Sequence, residues 1–146
     1  MKAMVLAAGV GSRLRPLTDS RPKALIELGG VPLLEHVLRR LAKAGVDGVI
    51  VNAFHLPDQV ERFIERRRQA GLRIEVSREE ELLDTGGGLK KASWFFDDSR
   101  PFLLHNADVL SGIDLGKLYR FHLDQGALAT VSVRSRDSAR LLLFDK

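Results

Sequence analysis

The chain has 146 residues, about the length of one domain, with 45% apolar and 29% charged residues, close to globular averages of roughly 45–50% and about 25%. Its 23 Lys and Arg against 19 Asp and Glu leave a net charge of +4, which suits an anionic ligand and falls short of a nucleic-acid-binding basic face. Cysteine is absent, which excludes disulfides, zinc-thiolate sites and thiol nucleophiles. The apolar run over residues 3–10 is far below the roughly 18 residues of a membrane span, and Gly9, Gly11 and Arg13 stand where a signal peptide would place its cleavage site. The expectation is a cytoplasmic, soluble protein with a single domain over residues 1–146 and no nucleic-acid or membrane partner.

Met4, Val5, Leu6, Ala7 and Ala8 read as a buried strand ended by Gly9. Residues 9–23 are too polar and too broken by Gly and Pro for regular structure, so a long loop with one helical turn is predicted, and loops of that length are usually functional. After the Gly29-Gly30 turn, Pro32 fits the first turn of a helix. Leu33, Leu34, Val37, Leu38 and Leu41 recur at helical spacing until Gly45. Val49, Ile50 and Val51 predict a second strand, and a helix from Pro57 to Gly71 turns Val60, Phe63 and Ile64 inward. Residues 72–77 alternate as a strand. Residues 79–88, with three consecutive Glu and three consecutive Gly, read as a second unusual loop, followed by a short helical stretch to Phe96. Residues 101–105 predict another strand, Leu115, Leu118, Tyr119 and His122 a helix, and residues 129–133 and 141–144 two more strands.

Strands alternating with helices at short intervals predict βαβ crossovers: a three-layer α/β/α, Rossmann-like fold with a mixed, mainly parallel sheet. In such sheets ligands sit beyond the carboxyl ends of the strands. The segments 9–23, 79–88 and 106–108 each follow a predicted strand, and together they hold glycines, cations and a carboxylate, the ingredients for a nucleotide phosphate and a metal. Gly9 and Gly11 let backbone N–H groups approach phosphate oxygens. Arg13 offers a planar fork of donors and Lys23 a compact charge. A dinucleotide-binding turn wants a third glycine where Leu14 stands, and the phosphate-loop pattern of Gly-Lys-Ser or Gly-Lys-Thr is missing. Arg62 with the arginines at 66–68 is interrupted by Glu61 and Glu65 and reads as a solvated helix face. Trp94, Phe95 and Phe96 read as cover for the sheet.

Gly9-Val10-Gly11-Ser12-Arg13-Leu14-Arg15-Pro16-Leu17-Thr18 followed by Pro22-Lys23 resembles the N-terminal signature of the sugar-1-phosphate nucleotidylyltransferases, in their small single-domain form. Asp84-Thr85-Gly86-Gly87-Gly88 and Asn106-Ala107-Asp108 agree with it, although the family more often has Gly at the position of Ala107. The resemblance implies a nucleotide-diphospho-sugar transferase fold and an enzyme that joins a nucleoside triphosphate (UTP or GTP) and a sugar 1-phosphate, releasing pyrophosphate. By the same resemblance Arg13 and Lys23 are catalytic, holding the β- and γ-phosphates and the α-phosphate respectively. Leu6, Ala7, Ala8, Gly9, Gly11, Ser12 and Gly86 form the backbone around the nucleotide. Glu81 reads the base, Asn106 contacts sugar or ribose, and Asp108 ligates Mg²⁺. The family's chain continues further and adds a sugar-binding portion and a second metal-binding Asp, so the resemblance implies a C-terminally truncated, nucleotide-binding part. The alternatives are a catalytically incomplete nucleotide-binding fragment and a self-associating remnant, and an unpaired strand near Leu141 favours a homodimer.

Overall fold

The computed structural model describes residues 1–67, 71–133 and 135. In chain order it runs from β1 (Lys2–Leu6) through a small antiparallel hairpin, β2 (Glu27–Leu28) and β3 (Val31–Pro32), into α1 (Leu33–Lys43). Then come β4 (Gly48–Ala53), α2 (Pro57–Arg67), β5 (Arg73–Arg78), α3 (Asp84–Lys91), β6 (Phe102–Asn106) and α4 (Leu115–Gln125). The main sheet has the order β5-β4-β1-β6 with every pairing parallel. The predicted mainly parallel α/β sheet is thus what the chain forms.

Side chains alternate across each strand, and here the two faces bury different helices. Ala3 and Val5 of β1 and Val49, Val51 and Ala53 of β4 join the larger core with Leu34, Val37, Leu38 and Leu41 of α1 and Val60 and Ile64 of α2. Met4 and Ile50 point the other way, to Ala92 and Phe95. All six positions of β4 are buried, as a central strand covered on both sides requires.

Four expectations are corrected. The triple glycine does not sit in a loop: residues 84–91 form α3, and Gly88 serves there as the residue without a side chain to strike a crowded buried pair. Residues 129–133 carry no strand; no described strand runs beside them, and Val131 and Val133 are 60% and 71% exposed. Pro32 stands one step before the helix rather than in its first turn. Of the three aromatic residues, Phe95 is buried at 3% whereas Trp94 is 56% exposed, since a 3₁₀ turn over Ser93–Phe95 cannot turn adjacent side chains to one face. The strand expected at 141–144 lies outside the described residues, as does the end of the helix expected to reach Gly71.

Half-buried His105 donates from Nδ1 to the Asn106 carbonyl at 2.7 Å. Burial pushes its imidazole below the ordinary value, partly opposed by that hydrogen bond. The unfolded chain therefore takes up this proton first, and stability falls as pH drops below about 6.5. The Met1 amine beside Asp47 and the Lys117 amide donating to Asp114 hold those carboxyls below their ordinary value, so their contribution is present above about pH 4 and lost only at lower pH. His105→Gln is expected to flatten the stability–pH slope between pH 7 and 5 and leave the acid limb below pH 4 intact, as read by urea unfolding.

Candidate active site

The carboxyl ends of the parallel strands open onto a cleft of roughly 230 Å³. One wall is the chain leaving β1, Leu6, Ala7, Ala8 and Gly9; the far side is Leu82, Asp84 and Thr85; Asn106 ends β6 and Asp108 lies just beyond it, and Lys23 closes the mouth. This is the crevice where the strand order reverses: the chain steps outward from β1 to β4 and β5, then crosses back to β6 on the other side of β1.

The loop after β1 is shaped by local rules. Gly11 sits at φ 69, a left-handed conformation that glycine adopts freely. A Cβ there would approach Thr18 Cγ2 to 2.8 Å. Thr18, 2% exposed, donates from Oγ1 to the Gly11 carbonyl at 3.0 Å. From the other side His55 Nε2 donates to the Thr18 carbonyl at 2.7 Å and Gln59 Nε2 to the Ser20 carbonyl at 2.9 Å. His55 therefore braces the loop and does not line the cleft. The loop ends in a 3₁₀ turn, Lys23–Leu25, whose lysine forms an ion pair with Asp108 although the two are 85 residues apart. The segment after Asp108 is anchored by Arg40 of α1, which donates to Ser111 Oγ at 3.1 Å and to the Ile113 carbonyl at 2.7 Å.

The structure brings together Leu6, Ala7, Ala8, Gly9, Lys23, Asn106 and Asp108 from the sequence-based set. Gly11, Ser12, Arg13, Glu81 and Gly86 stand outside the cleft lining. Arg13 lies exposed in the 3₁₀ turn Ser12–Leu14 and takes part in no ion pair among the described residues. Glu81 and Gly86 are exposed as well. Sequence reasoning missed Asn52, which lines the cleft at 2% exposure, and Glu79 behind it at 3%. The available signal was a polar residue at the end of an apolar strand. Asp84, part of the segment that resembles the family but given no role there, lines the cleft at φ 55, a backbone region that a non-glycine residue adopts at a cost.

Asn52 and Glu79 organise the floor. Asn52 Oδ1 accepts the Ala7 N–H at 2.7 Å and its Nδ2 donates to Glu79 Oε1 at 2.8 Å. Glu79 Oε2 accepts the Leu83 N–H at 3.3 Å. The Glu79 carboxylate meets no cation among the described residues; two donors and the adjacent N-terminus of α3 compensate its burial. Ala7's amide, being engaged by Asn52, does not face the cleft. Gly88 makes this packing possible, since a Cβ there would lie 2.8 Å from both Asn52 Nδ2 and Glu79 Oε1.

Comparison with known proteins agrees with this geometry. Residues 2–140 match the nucleotidyl transferase family. The chain is 38% identical over 135 residues to the mannose-1-phosphate guanylyltransferase catalytic subunit beta of Xenopus tropicalis, covering 91% of this chain and 38% of that protein. It is 50% identical over 111 residues to the N-acetylmuramate alpha-1-phosphate uridylyltransferase of Caulobacter vibrioides, covering 74% of this chain and 46% of that protein. The crystal structure of HddC from Yersinia pseudotuberculosis complexed with GMP-PN superposes with a TM-score of 0.74 at 26% identity, covering 84% of this chain and 54% of that one. This chain belongs to the nucleotidyl transferase family. It spans less than half the length of these two curated relatives. No helix among the described residues is long and apolar enough to cross a membrane.

Because Gly88 has no space for a side chain against the buried pair, Gly88→Ala is expected to destabilise the fold by about 1–3 kcal/mol, despite alanine's better helix propensity. Gly86→Ala, where a Cβ would meet nothing within 4 Å, is expected to be neutral or stabilising; chemical denaturation of the two variants checks the contrast.

Proposed function

We propose that this chain is the nucleotide-binding part of a sugar-1-phosphate nucleotidylyltransferase, joining UTP or GTP and a sugar 1-phosphate into a nucleoside diphosphate sugar with release of pyrophosphate. The observation that carries the reading is the meeting of Lys23 and Asp108 at the mouth of a cleft walled by the chain after β1 and by Asn106. A cation and a carboxylate brought from distant segments to the carboxyl ends of parallel strands suit a charged phosphate ligand and its counter-cation.

The chemistry asks little of acid–base groups. A sugar phosphate is already an anionic nucleophile: its oxygen attacks the α-phosphorus, the bond from that phosphorus to the bridging oxygen breaks, and pyrophosphate leaves. The obstacle is repulsion between two anions, which positioning and fixed positive charge overcome. Lys23 supplies that charge at the α-phosphate once it leaves Asp108. Arg13, exposed on the preceding turn and in no ion pair among the described residues, offers its guanidinium to the β- and γ-phosphates, its two-pronged donors suiting phosphate oxygens. Glu81 in this proposal reads the base, and Gly11, Ser12 and Gly86 complete the nucleotide's backbone surround.

Mg²⁺ is part of the proposal. No group of three or more His, Cys, Asp or Glu side chains able to hold a metal occurs among the described residues. Mg²⁺ commonly binds through one or two carboxylates plus substrate phosphates, and Asp108, with Asp84 in the same cleft, fits that donor set. When bound, the cation neutralises phosphate oxygens. Asp108 engages Lys23 through Oδ2, so a cation held by the same carboxylate would weaken its hold on the lysine and leave that charge for phosphate. A nucleoside triphosphate substrate also fits a cytoplasmic protein.

Lys23→Ala and Arg13→Ala are each expected to weaken triphosphate binding about 10- to 100-fold, as measured by calorimetry; unchanged affinity in both removes the phosphate-loop assignment. Asp108→Asn is expected to abolish the dependence of nucleotide affinity on Mg²⁺. Pyrophosphate release that requires both Mg²⁺ and a sugar 1-phosphate would establish turnover, whereas nucleotide binding without it would mark a catalytically incomplete fragment.

A further inference from the structure

We propose that Asn52 and Glu79 are a positioning pair that sets the spacing between the two nucleoside-facing walls of the cleft; this rests on the nucleotide-binding role proposed above. Three hydrogen bonds run in series from one wall to the other: Ala7 N–H to Asn52 Oδ1 at 2.7 Å, Asn52 Nδ2 to Glu79 Oε1 at 2.8 Å, and Leu83 N–H to Glu79 Oε2 at 3.3 Å. Ala7 belongs to the wall that follows β1, and Leu83 stands between Leu82 and Asp84 in the opposite wall.

The direction of each bond is forced. A backbone N–H can only donate, so Ala7 turns the carbonyl oxygen of Asn52 toward itself and leaves the amide nitrogen facing Glu79. Both oxygens of Glu79 then accept. No rotamer or amide flip satisfies the same four groups, and both side chains are almost wholly buried, at 2% and 3% exposure, where an unpaired polar atom is costly.

Placement argues for more than stability. Asn52 follows Ile50 on the face of β4 turned toward α3, where Ile50 packs into an apolar cluster. Well-packed apolar side chains usually stabilise such a site at least as well as a buried charge. The polar chain occurs instead at the strand's carboxyl end, against the cleft. Gly88 is held to a bare backbone by the same pair, so the first turns of α3, and with them Thr85 and Asp84, are fixed relative to Ala7 and Ala8. The wall spacing is therefore set by hydrogen-bond length and does not depend on loop packing.

The test uses isosteric substitutions. Asn52→Asp sets two carboxylates face to face. Glu79→Gln turns a donor toward either Asn52 Nδ2 or the Leu83 N–H, breaking one bond. In the double variant N52D/E79Q the new amide donates to the new carboxylate and its oxygen accepts from Leu83, so all three bonds close again with the charge moved by one side chain. Calorimetric titration of the chain with UTP, GTP and inorganic tripolyphosphate in Mg²⁺ reads the outcome. Each single variant is expected to raise the nucleotide Kd about tenfold, and the double variant to return it to within about threefold of the parent. Tripolyphosphate, which has no nucleoside to seat, is expected to bind all four proteins alike. Amide hydrogen exchange at Ala7 and Leu83 should speed up in the singles and slow again in the double.

Single variants that bind nucleotides like the parent overturn the pair's role, as does a double variant no better than the weaker single. Equal loss of tripolyphosphate affinity overturns it too, since that pattern marks general damage. A parent protein that binds neither nucleotide nor tripolyphosphate overturns the nucleotide-binding role itself, and the pair's role with it. If a single variant does not fold, the double variant decides: folding with near-parental nucleotide affinity supports the pair, and its failure overturns it.

Discussion

A buried chain of hydrogen bonds crosses the carboxyl ends of β1, β4 and β5, from Ala7 through Asn52 and Glu79 to Leu83, and the shape of the cleft depends on it. Parallel strands end together in space, but their ends splay into loops with no shared hydrogen-bond ladder. Something must tie those loops to one another if they are to face a ligand at a fixed spacing. Here a central strand supplies an amide at its last inward position but one, and the neighbouring strand supplies a carboxylate just past its end. The remaining link is backbone: the Ala107 N–H donates to the Leu6 carbonyl at 3.0 Å, which draws the turn bearing Asp108 against β1.

The charged residues are arranged differently from this floor. Lys23 and Asp108 are 24% and 36% exposed, so their ion pair is partly solvated and exchangeable at small cost. Asn52 and Glu79 are dry and cannot change partners cheaply. A rigid floor beneath a partly solvated charged rim is a sound division for the proposed nucleotide site: the groups that fix distance stay bonded, and the Lys23–Asp108 pair is left to trade one counterion for another. The brace of His55 and Gln59 on the loop carbonyls extends the rigid part to the segment carrying the cations.

The sequence read well wherever one element answers to one local rule. The apolar period of α1, its end at Gly45 and the buried run of β4 depend on neighbours three or four residues away, and each formed as expected. The segment before Lys23 was recognisable as a loop with a helical turn from its polarity and its Gly and Pro breaks. Errors arose where the deciding contact was distant. Three consecutive glycines argue for a loop by propensity, yet the segment is helical, and the glycine at 88 answers to packing: Asn52 and Glu79, 36 and 9 residues earlier in the chain, leave no space beside it. Residues 129–133 alternate as a strand should, but a strand also needs a partner edge.

Composition and periodicity thus determined that this chain makes a parallel α/β sheet, which loops carry glycine, cation and carboxylate, and at which end of the sheet they gather. These follow from backbone sterics and from the burial of apolar side chains, both of which repeat over a few residues. Tertiary structure alone decided that Lys23 pairs with Asp108, that Arg13 and Glu81 stand outside the cleft, and that a buried amide and carboxylate join its walls. Those outcomes depend on distances between residues tens of positions apart, and hydrogen bonds are satisfied or lost within a few tenths of an ångström, a scale that no local pattern of residue types encodes.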